Sequence, residues 1–90
     1  MKQKKGFTLR EVCGQKVVVA EGLEAINFGK LVTLNETAAW IWKKATELGE
    51  FNAEQLADAV CETYPVERDR ALQDVISLLS EWQQIGIIEE

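Results

Sequence analysis

The sequence predicts an α+β domain of winged-helix-like layout, a three-stranded antiparallel sheet followed by three helices. Three observations lead there. Alternating and β-branched runs are confined to the first third of the chain. Helix-period apolar stripes with start and stop signals fill the rest. One proline, Pro65, makes a tight step between two of those helices.

Phe7-Thr8-Leu9-Arg10 alternates apolar with polar, as a strand with one covered face does. Cys13-Gly14-Gln15 reads as a turn, and Val17-Val18-Val19-Ala20 as the returning strand of a hairpin that Gly22 ends. Leu31-Val32-Thr33-Leu34 is a third short strand. Residues 23–28, ahead of Gly29, fit either an extension of that strand or a connection to it.

The strand runs straight into a helix at Leu34-Asn35-Glu36-Thr37. Asn35 can cap it by accepting from an unpaired first-turn N–H, and Glu36 sits at the positive end of the helix dipole. Ala38, Ile41, Trp42, Ala45 and Leu48 follow at helical spacing until Gly49 closes the helix. Trp40 lies off that stripe and is expected to be partly exposed.

Asn52 and Gln55 have capping-box spacing, with Phe51 and Leu56 as the apolar staple of the second helix. Its stripe of Leu56, Ala57, Val60 and Tyr64 ends at Pro65. A third helix is predicted from about Glu67 to Gln84, stopped by Gly86, with Trp82 and Ile87 placed for the contact that accompanies a glycine cap.

Composition narrows the function. Ninety residues make one small domain, predicted to span residues 7–90 after a disordered basic tail at 1–6. No apolar run approaches the ~20 residues that span a bilayer, and no secretory signal is present, so no membrane partner is expected and the cytoplasm is the expected compartment. The chain has no histidine, which removes imidazole bases, Ser-His and Cys-His pairs and most zinc sites. No catalytic residues, no metal and no cofactor are expected, and the protein is read as a non-enzyme. Cys13 and Cys61 form no CxxC pair and are expected as buried free thiols.

The net charge of −5 is unevenly spread, at +3 over residues 1–49 and −8 over residues 50–90. The acidic half would repel a phosphate backbone, so nucleic acid is not an expected partner. Arg68 and Arg70 stand among Glu67, Asp69 and Asp74, which suits a solvated face or a minor contact to a peptide. Glu54, Asp58 and Glu62 at i,i+4 spacing read as a solvent face of the second helix.

The third helix carries more apolar surface than one buried face needs. Ala71, Val75, Leu78 and Trp82 form one stripe, and Leu72, Val75, Ile76 and Leu79 a second beside it. Both can be filled by packing within the domain. Alternatively, one flank lines a groove beside the third strand, whose edge could accept an extended peptide as an added strand.

Several pieces of the chain form a wider pattern. They are Phe7-Thr8-Leu9-Arg10 with Gly14, Val17-Val18-Val19, Leu34-Asn35-Glu36-Thr37-Ala38-Ala39 with Ile41-Trp42, and Leu56-Ala57. Tyr64-Pro65-Val66, Asp74-Val75 with Leu78-Leu79, and Gly86-Ile87 complete it. Together, over residues 7–88, they resemble the PqqD-like family, named after pyrroloquinoline quinone biosynthesis protein D. The Glu21–Gly29 connection is longer than in the shortest members.

The resemblance implies a RiPP recognition element, a peptide chaperone in biosynthesis. Such a module holds the leader of a ribosomally made precursor peptide between its third strand and third helix. It presents that peptide to a modifying enzyme, often a radical S-adenosylmethionine enzyme. Carried onto this chain, the cleft maps to Lys30, Leu31, Val32, Thr33 and Leu34 on one side. Arg68, Leu72, Val75, Ile76 and Leu79 fall on the other. Two further readings stand beside this one: a winged-helix DNA-binding regulator, which the layout permits, and a homodimer formed by edge pairing.

Overall fold

The structure, a computed structural model, describes residues 1–21 and 32–90. Its first element corrects the expectation of a disordered tail. Lys2–Gln3 (β1) pairs antiparallel with Ile88–Glu89 (β5), the last element. The charge pattern that suggested a tail says nothing about main-chain partners, and here the backbone is well supplied with them. The Met1 amino group donates to the Phe51 carbonyl at 2.9 Å, and the Phe51 N–H donates back to the Met1 carbonyl at 2.7 Å. The Gln3 side chain donates to the Trp42 carbonyl at 2.9 Å and accepts from the Thr46 hydroxyl at 3.0 Å.

Phe7–Val12 (β2) and Gln15–Ala20 (β3) form the hairpin, and Val32–Leu34 (β4) adds to the far side of β3. The loop is Cys13-Gly14, with φ of 52° and 80°. Positive φ at both central residues gives a turn whose twist matches the flanking strands, which is why a glycine stands there. Cys13 is therefore exposed at the turn, and Cys61 is half-buried with its thiol 3.6 Å from the Val66 carbonyl; neither is the fully buried thiol expected.

Glu36–Leu48 (α1), Ala53–Thr63 (α2) and Arg68–Ile85 (α3) follow. Each start and stop has a local cause. Asn35 Oδ1 accepts from the Ala38 N–H at 2.8 Å. Asn52 and Gln55 make the full reciprocal capping box at 2.8 and 3.0 Å. Gly86 takes the left-handed conformation at φ 95° and sends its N–H back to the Trp82 carbonyl.

The core lies between the helices and one face of the sheet. Val18, Leu56, Val75, Leu79, Trp82 and Ile87 are its most deeply buried large side chains. Trp42 and Trp82 meet edge to face at 5.2 Å, joining α1 to α3, a geometry that aromatic quadrupoles favour. Trp40 is half-buried, its ring 5.6 Å from that of Tyr64. Tyr64, expected in the buried stripe of α2, is 36% exposed because the helix has already ended at Thr63.

Candidate functional site

Strand pairing decides which backbone groups of β4 are available. In a two-residue hairpin the closing pair, Val12 and Gln15, exchanges hydrogen bonds, and bonded pairs then alternate along the ladder. The Glu21 N–H on the Gly6 carbonyl at 2.6 Å keeps that phase. Residues 15, 17 and 19 of β3 thus face β2, and Lys16 and Val18 face β4. Their partners Leu34 and Val32 are spent on that pairing. Thr33, opposite Val17, turns its N–H and C=O to the outer edge, where no described residue meets them.

Side chains alternate in step with the strand pleat. Val32 is half-buried and Leu34 buried, while Thr33 is exposed. Just past this edge, where β4 becomes α1, lies an apolar cavity of about 220 Å³. Its floor is Ile41 of α1, Val60 of α2 and Ala71 and Val75 of α3, all buried. Its rim is Thr37, Tyr64 and Asp74, all exposed, with half-buried Val66. Asp74 is the one charged residue in that lining. Thr37, the second residue of α1, links this opening to the end of β4 along the chain, and Asp74 puts a carboxylate in its otherwise uncharged lining.

The expected cleft residues distribute unevenly around this site. Lys30 and Leu31 lie outside the described residues. Val32, Thr33 and Leu34 form β4 itself, and Val75 lines the cavity. Leu79 is buried in the core and Leu72 is half-buried. Ile76 is 50% exposed and belongs to a shallow depression with Ser77, Ser80, Glu81 and Gln84 on the outward face of α3. Arg68 is tied to α2, its Nε 2.6 Å from Asp58 Oδ1 and its Nη2 3.5 Å from the Glu54 carbonyl. Arg68, Leu72 and Ile76 share one stripe of α3, so the stripe that Arg68 ties to α2 is a different flank from the one that carries Asp74.

Thr37, Tyr64, Val66 and Asp74 were not among the expected site residues. Their signal was present: Asp74 directly precedes Val75, and Thr37 follows the helix cap at the end of β4. Among the described residues no group of three His, Cys, Asp or Glu side chains is placed to hold a metal ion. No described helix is long and apolar enough to cross a membrane.

The family model described as coenzyme PQQ synthesis protein D (PqqD) matches residues 15–88. No curated protein matches the chain. A solved structure of TbiB1 in complex with the TbiA(beta) leader peptide aligns at a TM-score of 0.80 and 20% identity, covering 99% of this chain and 95% of that one. A lasso peptide synthetase B1 complexed with the leader peptide aligns at 0.76 and 20% identity, covering 99% and 96%. At that identity the two likenesses establish the shared three-strand, three-helix fold.

Proposed function

Since the chain belongs to the PqqD family, we propose that it is a non-catalytic module that captures the leader of a ribosomally made precursor peptide by strand addition to β4. The single observation that carries this reading is the outward-facing Thr33 backbone, which has no partner among the described residues; the apolar cavity that Thr37 helps to line, four residues further along the chain, supports it. Two proteins of the same fold whose structures hold leader peptides support it.

The mechanism has two parts. Main-chain hydrogen bonds to Thr33 give sequence-independent affinity and fix the register of the added strand. One bulky leader side chain entering the cavity against Ile41, Val60 and Val75 adds about 1.5–3 kcal/mol and gives selectivity. Asp74 at the rim favours a leader with a cationic residue next to that anchor. Dissociation constants from roughly nanomolar to micromolar follow for so small an interface, depending on how preorganised the leader is.

The captured peptide is then presented to a modifying enzyme, a radical S-adenosylmethionine enzyme in the first instance, in the cytoplasm where such peptides are made. The DNA-binding alternative fares worse, because the −8 balance of residues 50–90 falls on the helices that would approach a phosphate backbone. The β4 edge also admits a second copy of the chain, which the leader would displace.

Titration of the ¹⁵N-labelled protein with the precursor peptide encoded beside its gene tests the reading. Amide shifts are expected at Thr33, Thr37, Asp74 and Val75. Tight binding with those four unmoved would sink it.

A further inference from the structure

The sheet has a second edge. β2 flanks β3 on the side away from β4, and no described strand pairs with its outer side. The hairpin phase sends the even residues of β2 to β3, so Leu9 and Glu11 turn their N–H and C=O groups outward. Neither has a hydrogen-bonding partner on that side among the described residues.

This edge also runs beside a helix. A cleft of about 420 Å³ separates it from α1, with Thr8 and Leu9 on one wall and Trp42, Lys43 and Thr46 on the other. Gln3, held by Trp42 and Thr46, closes one end. At this edge the strand itself supplies residues to the helix-walled cleft beside it.

The charge at the two places is opposite. The cavity near the end of β4 carries Asp74, whereas the β2 cleft carries Lys43 and shares Gln3 with a depression lined by Lys2, Lys4, Lys5 and Glu89, a net positive set. Lys2 is paired with Glu89 at 3.6 Å, and Arg10 with Glu21 at 2.8 Å. Lys4, Lys5 and Lys43 have no ion-pair partner among the described residues. The exposed acids nearest this side are Glu11 and Glu47 in sequence, and Glu50, whose backbone bridges to Lys2.

We propose that the β2 edge is a second strand-accepting surface and that its occupant is an acidic, extended segment of a partner protein. Leu9 and Glu11 supply the main-chain bonds, and Lys4, Lys5 and Lys43 select for carboxylates along the incoming strand. On the reading above, that partner is the modifying enzyme. Leader and enzyme would then dock on opposite edges of one sheet without competing.

The test uses two end-blocked nonapeptides, one alternating valine with glutamate and one alternating valine with lysine, each titrated into the labelled full-length chain. The acidic peptide is expected to move the Leu9 and Glu11 amides and to leave Thr33 in place. Reversing Lys4→Glu, Lys5→Glu and Lys43→Glu together should weaken it roughly tenfold at low salt, with the difference shrinking as salt is added. Leu9→Pro, which removes an outward N–H and leaves the β3 ladder whole, should abolish the shifts. Equal response to both peptides, shifts confined to Thr33 and the β4 cavity, or no shift at millimolar peptide would overturn the proposal. Failure of this edge with success at Thr33 leaves leader capture standing, so the two readings fail separately.

Discussion

Arg68 and Asp74 stand on the same helix and have opposite fates. Arg68 spends its guanidinium on Asp58 of α2, an exposed pair worth at most about 1 kcal/mol. Asp74 lines the apolar cavity and has no ion-pair partner among the described residues. Arg68→Ala should therefore change urea-unfolding stability by less than about 1 kcal/mol and leave peptide affinity alone, while Asp74→Lys should weaken a leader with a cationic residue by roughly tenfold in calorimetric titration. Helical phase read from the chain groups Arg68 with Leu72 and Ile76. It says nothing of which flank meets α2, and so which residues reach the cavity is legible only once the helices are packed.

A second residue-scale consequence concerns acid. Glu21 accepts from Arg10, with help from the Thr8 hydroxyl and the Arg10 charge, and its carboxyl is held below its ordinary value of 4.5. A carboxyl lowered on folding stabilises the native state above that ordinary value, and the contribution is lost as pH falls through the lowered one. Glu21→Gln should therefore lose less stability than the parent on acidification below pH 4.5, as read from thermal melts across that range. Equal losses would show that the pair adds nothing to folding.

At the scale of elements, what the sequence announces is what local chemistry determines. Asn35, Asn52 and Gly86 mark helix ends because capping involves only neighbours in the chain, and the helices begin and stop where those residues stand. β1 could not be read this way. Its pairing with Ile88–Glu89 joins the two ends of the chain, and nothing in Lys2-Gln3 alone signals it. The edge role of Thr33 likewise follows from register, which the Cys13-Gly14 turn sets from the other end of the sheet. Thr33→Pro deletes an outward donor without removing a β3–β4 bond, so the fold should persist by circular dichroism while leader binding falls below detection. Undiminished binding would place the leader elsewhere.

For the whole molecule, the functional surfaces and the core share the same helices. Val75 is both core and cavity floor, and the Trp42–Trp82 contact joins α1 to α3, two of the helices that line the cavity. A domain of 90 residues has about 5–13 kcal/mol of stability at the usual rate per residue. Trp82→Ala, at 1% exposure, should remove about 3–5 kcal/mol of it, and leader affinity should fall along with the melting temperature.

The central claim is that the leader becomes a strand on β4, and hydrogen exchange at one amide tests it most directly. Thr33 N–H faces outward with no partner among the described residues, so it should exchange quickly in the free protein and slow by at least tenfold when saturated with precursor peptide. A saturated complex in which the Thr33 amide exchanges as fast as before would contradict the account.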